Sequence, residues 1–153
     1  MAKSKKAKAK QTHENFDVKS FVEKTLRGAF KKTPMYHEAK RRAKREFFEE
    51  SKHGKLMRRV HFECASCKGL FFDRKGAKEI AIDHILPVVD VEVGSADYHT
   101  YIQRLFCSVD NLQCLCNFKG ERDGKKSCHK IKTAEENVQR REAEARRKLE
   151  KQE

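Results

Sequence analysis

The chain has 153 residues, 36 of them Lys or Arg and 23 Asp or Glu, and carries a formal net charge of +13. With 37% hydrophobic residues and a mean hydropathy of −0.91, it has apolar material for one small domain and too little for a large core. No stretch approaches the roughly 20 apolar residues of a membrane span, and the start MAKSKKAKAK has no apolar segment, so neither membrane insertion nor secretion is expected and a cytoplasmic polyanion binder is.

The charge is uneven. Residues 1–60 are net +12, residues 61–110 net −3 and residues 111–153 net +4. Basic flanks around a slightly acidic centre suit a molecule that holds phosphate at its edges and a cation in its middle.

Residues 1–14 are Lys- and Ala-rich and are expected to be a disordered basic tail. Residues 15–54 read as a helical basic arm. Asn15 is a candidate cap for a helix to about Lys32, with Phe16, Val18, Phe21, Val22, Leu26, Ala29 and Phe30 on its apolar side. Thr33-Pro34 opens a second helix, predicted to run to about Lys52 with Tyr36, Ala39, Ala43, Phe47 and Phe48 inward and Gly54 ending it. Its other side carries Lys40, Arg41, Arg42, Lys44 and Arg45, whose mutual repulsion favours a phosphate contact.

From Arg59 the pattern turns to short strands. Val60, Phe62, Leu70, Phe71 and Phe72 flank Cys64-Ala-Ser-Cys67, and Ile80-Ala-Ile82 leads to Asp83-His84-Ile85-Leu86-Pro87. Residues 88–96 form a loop, and Tyr98, Tyr101, Ile102, Leu105 and Phe106 fit one helix. Thr133-Ala-Glu-Glu136 has the spacing of a capping box, so a last, exposed helix is expected from about Thr133, with 136–153 as a charged helix or tail.

Six cysteines, at 64, 67, 107, 114, 116 and 128, in a chain read as cytoplasmic argue for metal or reactive thiols rather than disulfides. Cys64-x₂-Cys67 has zinc-knuckle spacing, where one turn brings two thiolates to one ion, and a small core gains from such a staple.

Four features follow in order: Cys64-x₂-Cys67; Asp83-His84-Ile85-x-Pro87; Asn111-Leu112-Gln113-x-Leu115-Cys116; and Cys128-His129-x₂-Lys132-Thr133. Together they resemble the HNH endonuclease family, the zinc-containing ββα-metal nucleases, in its phage-type subgroup. The resemblance covers roughly residues 30–135. It implies an α+β fold: a small ββα-metal domain over 55–135, with a zinc-stapled hairpin and flanking N- and C-terminal helices.

The implied chemistry can be rebuilt from residue types. Phosphodiester hydrolysis needs a base for water, a cation at the phosphate and a group that orients the base. His84 at a strand end is the candidate general base, imidazole being the side chain that exchanges protons near neutral pH. Asp83 supplies a hard oxygen for a catalytic Mg²⁺ or Mn²⁺. Successive strand residues point to opposite faces, so the strand has to end or bulge at Asp83-His84 for the pair to cooperate.

The resemblance assigns Asn111 either to orienting the base or to sharing the metal, and His129 to a second ligand of the catalytic ion. It assigns Cys116 and Cys128 to a structural zinc with Cys64 and Cys67. Here the chain departs from the family, with eleven residues between Cys116 and Cys128, a polar loop that puts the placement of His129 in question. Cys114 in place of Cys116, and Asn117 as the motif end in place of His129, are the competing registers. Cys107 and Cys114 then read as buried thiols.

The expected partner is duplex DNA gripped by the flanks, with Lys130, Lys119, Lys125 and Lys126 as further candidates for phosphate contacts. Nothing resembles a base-reading module, so low sequence specificity is expected. A phage-encoded chain would act in the host cytoplasm, with packaging or recombination proteins as candidate partners. The rival expectation is an inactive, zinc-stapled nucleic-acid-binding protein serving packaging or transcription. A protein-interaction adapter working through the last helix is a third.

Overall fold

The computed structural model describes residues 16–74, 77–94 and 97–151. The expected tail 1–14 and the Asn15 cap lie outside these residues. Asp17 takes the cap, its carboxylate accepting the Ser20 N–H at 3.0 Å, and α1 runs Val18–Phe30. Thr33 caps α2 (Pro34–Ala43) as expected, its hydroxyl accepting the Tyr36 N–H at 3.3 Å.

The second helix does not continue to Lys52. Residues Lys44–Glu50 form β1, paired antiparallel with β2 (Leu56–Glu63) in unbroken register from Lys44↔Phe62 to Glu50↔Leu56. Diagonal ion pairs Arg45–Glu63 (2.9 Å), Glu49–Arg59 (3.2 Å) and Glu46–Arg58 lace the two strands. Gly54 therefore serves the β1–β2 turn, its N–H bonded to Ser51 O at 2.9 Å, rather than a helix end. Phe47 and Phe48, expected inward, are 40% and 64% exposed on this ribbon.

The expected hairpin around the CxxC is present, β2 pairing with β3 (Leu70–Phe71). A small ribbon of β4 (Asp73–Arg74) and β5 (Ala77–Lys78) follows. Then β6 (Ile80–His84) starts the ladder that organises the site. Asp97 caps α3 (Tyr98–Leu105), close to the predicted helix. Strand β7 (Leu112–Cys116) pairs antiparallel with β6, from Ile80↔Cys116 to His84↔Leu112.

The eleven-residue stretch before Cys128 is a hairpin rather than an irregular loop, with β8 (Glu121–Arg122) against β9 (Lys125–Lys126). Asp123 and Gly124 both have positive φ (51° and 69°), the two-residue turn whose twist matches the flanking strands. The hairpin folds on itself, so the chain returns beside Cys116.

The last helix, α4 (Cys128–Glu150), starts five residues before the predicted Thr133. Ser127 is its cap residue, and Thr133 is a full turn inside, its hydroxyl bonded to His129 O at 2.8 Å. Nor is α4 merely exposed. Arg140 and Arg147 donate to Val89 O (3.4 Å) and Val93 O (2.6 Å), and Arg146 pairs with Glu92 at 2.7 Å.

The architecture is thus α+β, with four helices and small antiparallel sheets among the described residues. Two apolar clusters hold it. Phe30, Ala39, Tyr101, Leu105 and Leu112 form one; Cys64, Leu115, Cys116 and Phe118 form the other. Strand β7 contributes to both, which makes β6–β7 the common floor. No helix among the described residues is long and apolar enough to cross a membrane.

Candidate active site and metal centre

The Sγ atoms of Cys64, Cys67, Cys116 and Cys128 all lie within 4.8 Å of one another. A tetrahedral zinc with Zn–S of about 2.3 Å would set S···S edges of about 3.8 Å, so a small contraction fits the group to that ion. Four sulfurs and no oxygen ligand suit a closed, structural shell. This four-cysteine group could hold a metal ion and is compatible with zinc.

Local geometry explains how the cluster forms. The knuckle closes through Cys64 N–H to Gly69 O and Lys68 N–H to Cys64 O, both 2.9 Å, with Lys68 at φ 58°. A Cβ on Gly69 would stand 3.0 Å from the Phe71 ring, so any larger residue there would have to push that ring aside. Backbone N–H groups aim at sulfur: Cys116 N–H reaches Cys64 Sγ at 3.3 Å, and Cys128 N–H reaches Cys116 Sγ at 3.1 Å. Burial alone raises the Cys64 thiol, but N–H donors from Cys67, Cys116 and Ser66 outweigh it and leave it below its ordinary value.

The structure selects Cys116 over Cys114 for the cluster. Cys114 is buried elsewhere on β7, and burial pushes its thiol up to about 12, so it is an inert thiol at neutral pH. Cys107 is half-buried against the first apolar cluster.

Cys128 begins α4, and this ties the cysteine group to the second feature. Asp83, His84 and His129 line one cleft of about 550 Å³ between the strand end, α1 and α4. The β6–β7 ladder runs one-to-one to His84↔Leu112 and stops there, so the strand ends rather than bulges. The cleft lies across that end and meets both faces. The His84 ring turns to Phe30, 5.0 Å between centroids, while the Asp83 carboxylate turns to α4.

His84 is 7% exposed, and its Nε2–H donates to Leu105 O at 3.0 Å. A carbonyl only accepts, so in the neutral ring this bond fixes the proton on Nε2 and leaves the lone pair on Nδ1. Asn111 does not line the cleft. Its side chain clasps the Leu86 backbone, Oδ1 accepting the N–H at 2.9 Å and Nδ2 donating to the carbonyl at 3.4 Å. Its own carbonyl accepts the Ile85 N–H at 2.8 Å. Of the two roles open for Asn111, this is the geometry of positioning: it fixes the turn that leaves His84. Asn117 is likewise outside the cleft lining, with its N–H on Glu79 O at 2.6 Å.

Lys132, which sequence reasoning noted only as a motif letter, sits at the centre of the cleft's charges. Its ammonium meets Asp83 Oδ2 at 2.9 Å, the His84 carbonyl at 2.8 Å and the Glu136 carboxylate. Burial lowers its pKa, but Glu136 and Asp83 outweigh that and hold the ammonium above its ordinary value. Glu136, read from sequence as a capping-box residue, also accepts from Arg140 at 3.0 Å. A helical spacing of four (128, 132, 136, 140) was the available signal, masked by the expectation that the helix starts later.

The expected DNA row is placed differently from its prediction. Lys40 pairs with Asp73, Arg41 and Arg42 with Glu38, Arg42 also with Asp110 (2.9 Å), Lys44 with Glu46 and Arg45 with Glu63. None of the five lines the cleft, and Lys44 and Arg45 belong to β1. Lys130 is tied to Phe118 O at 2.7 Å. The cations that do line the cleft are Arg27 and Lys31, around the end of α1, with Lys132 and Arg140 from α4. Arg27 is steadied by its Nε–H donating to Tyr101 Oη at 3.1 Å. Compared with known proteins, the chain matches no family model, no curated protein and no solved structure.

Proposed function

We propose that this chain is a metal-dependent DNA endonuclease of the ββα-metal (HNH) type, with a structural zinc on Cys64, Cys67, Cys116 and Cys128. The observation that carries the reading is the shared cleft. A histidine with its tautomer set by a backbone carbonyl and a carboxylate, both at the end of β6, line one cleft with a second imidazole carried by the helix that starts at the cysteine group. The order β6, β7, α4 supplies the ββα frame. His84 Nδ1 takes the proton of the attacking water, the Leu105 carbonyl keeps the ring in that tautomer, and Asn111 holds the turn behind it.

Asp83 supplies a hard oxygen and His129 an imidazole that could hold a divalent cation such as Mg²⁺ or Mn²⁺ at the cleft. When bound, such a cation would offset phosphate charge and stabilise the leaving oxygen. The rival, an inactive nucleic-acid-binding protein, is favoured by one fact: Lys132 already neutralises Asp83.

Supercoiled plasmid with Mg²⁺ or Mn²⁺ separates the two. The zinc-loaded protein is expected to yield nicked or linear DNA. A folded protein that binds the plasmid but cuts it with neither ion would establish the rival.

The cleft also predicts which cations grip the strand. Exposed ion pairs are worth little, so the row at 40–45 can still meet phosphate, but its charge is already largely balanced. Replacing both Arg27 and Lys31 by Gln is expected to weaken DNA binding about tenfold and to flatten the log–log salt slope by ~1.8, the value for two lost phosphate contacts. The Arg41→Gln/Arg45→Gln pair should change the slope by less. Equal slopes for the two double variants in a salt titration would move the grip away from the cleft.

A further inference from the structure

Three oxygens, two from the end of β6 and one from α4, converge on the Lys132 ammonium. They are Asp83 Oδ2 at 2.9 Å, the His84 carbonyl at 2.8 Å and the Glu136 carboxylate one turn along α4. The side chain is about a quarter exposed (23%) and cannot be read as a loose surface lysine. Asp83 is the one carboxylate that the proposed mechanism gives to a divalent ion, so the ammonium and that ion claim the same oxygen. Glu136 lies four residues from Lys132 on the same helix, the spacing that makes two side chains neighbours without help from another element.

We propose that Lys132 is a tethered counter-cation that competes with the divalent ion for Asp83, and that Glu136 is the partner that keeps the ammonium when the ion takes its place. The proposal rests on the nuclease reading of the cleft and adds a control to it: metal occupancy is set by displacement of a side chain. Two opposite consequences follow. Removing the ammonium frees Asp83 and tightens metal binding. Removing the Glu136 charge leaves the ammonium only Asp83 as a carboxylate partner and loosens metal binding.

The test is Mn²⁺ binding to the full-length, zinc-loaded protein, followed by the electron paramagnetic resonance of the free ion, with melting curves to confirm each variant's fold. Lys132→Met and Lys132→Gln are expected to bind Mn²⁺ about tenfold tighter than the wild type, or ~1.4 kcal/mol. Glu136→Gln is expected to bind it several-fold more weakly. Lys31→Gln removes a cleft charge that is not placed on Asp83 and should shift the affinity less than about threefold. A general loss of structure would weaken all the variants, and a diffuse charge effect would make Lys31→Gln resemble Lys132→Met. Unchanged affinity in both Lys132 variants, or equal gains in Lys31→Gln, overturns the competition and leaves the nuclease reading standing. The absence of any saturable Mn²⁺ site in wild type and Lys132→Met alike overturns both.

Discussion

Stripping the metal from the four-cysteine group is expected to cost the protein its folded state and not only its activity. The second apolar cluster consists of Cys64, Leu115, Cys116 and Phe118, so half its buried members belong to the four-cysteine group. Structural zinc supplies about 10–16 kcal/mol in small domains, while the whole net stability of a domain is about 5–15 kcal/mol. The metal term is therefore as large as the whole net stability, so its loss leaves little or nothing to hold the fold. The consequence also reaches the cleft, because Cys128 opens α4 and the next residue is His129. Once the helix start is unfastened, His129, Lys132 and Glu136 lose their places together.

A zinc-selective chelator should lower the helix signal in circular dichroism and abolish cleavage, and added Zn²⁺ should restore both while Mg²⁺ alone should not. Cys128→Ser should behave like the chelated protein, whereas Cys114→Ser should keep its zinc, because Cys114 lies outside the ligand set. An apo protein with an unchanged melting temperature would refute the staple.

The parts legible in the sequence were those whose signal is local. Cys64-x₂-Cys67 fixes a turn by itself, Thr33-Pro34 marks a helix start, and the Ile80–Ile82 run ends at Asp83-His84, where the strand ends. The overrun of α2 had a different cause. Tyr36, Ala39, Ala43 and Phe47 keep helical spacing through Lys44–Glu50, and only pairing with β2 makes a strand of that segment. In the same way, Thr133-x-x-Glu136 satisfies the local rule for a helix start, but the cysteine group begins the helix at Cys128. The Lys132–Glu136–Arg140 part of the charge network follows the helical spacing of four, but its link to Asp83 was out of reach because Asp83 lies on a strand 49 positions before Lys132. Nothing in the order of residues says which helix cation meets a carboxylate on a distant strand. The row at 40–45 shows the converse: five consecutive-looking charges acquire carboxylate partners from α2, β1, β2, β4 and the turn before β7.

His84→Ala is expected to lower the cleavage rate by about 10²–10⁴, the range general-base catalysis contributes, while leaving DNA affinity within about twofold. The loss has to be separated from damage to the core. His84 packs on Phe30 and satisfies Leu105 O, so truncation opens a cavity and strips a buried carbonyl of its donor, at a cost of about 1–3 kcal/mol. A domain this small can absorb that and still be folded, which a melting curve would show. The discriminating readout is rescue: free imidazole can enter the space left by the ring and restore part of the rate to His84→Ala. Asn111→Ala supplies the contrast. Its side chain holds the Leu86 backbone and faces no cleft atom, so it should slow cleavage by only about tenfold to a hundredfold and show no imidazole rescue. A folded His84→Ala that cuts as fast as the wild type would remove His84 from the role of base. If Asn111→Ala proved the slower of the two and lost Mn²⁺ binding as well, Asn111 would belong to the metal rather than to the turn.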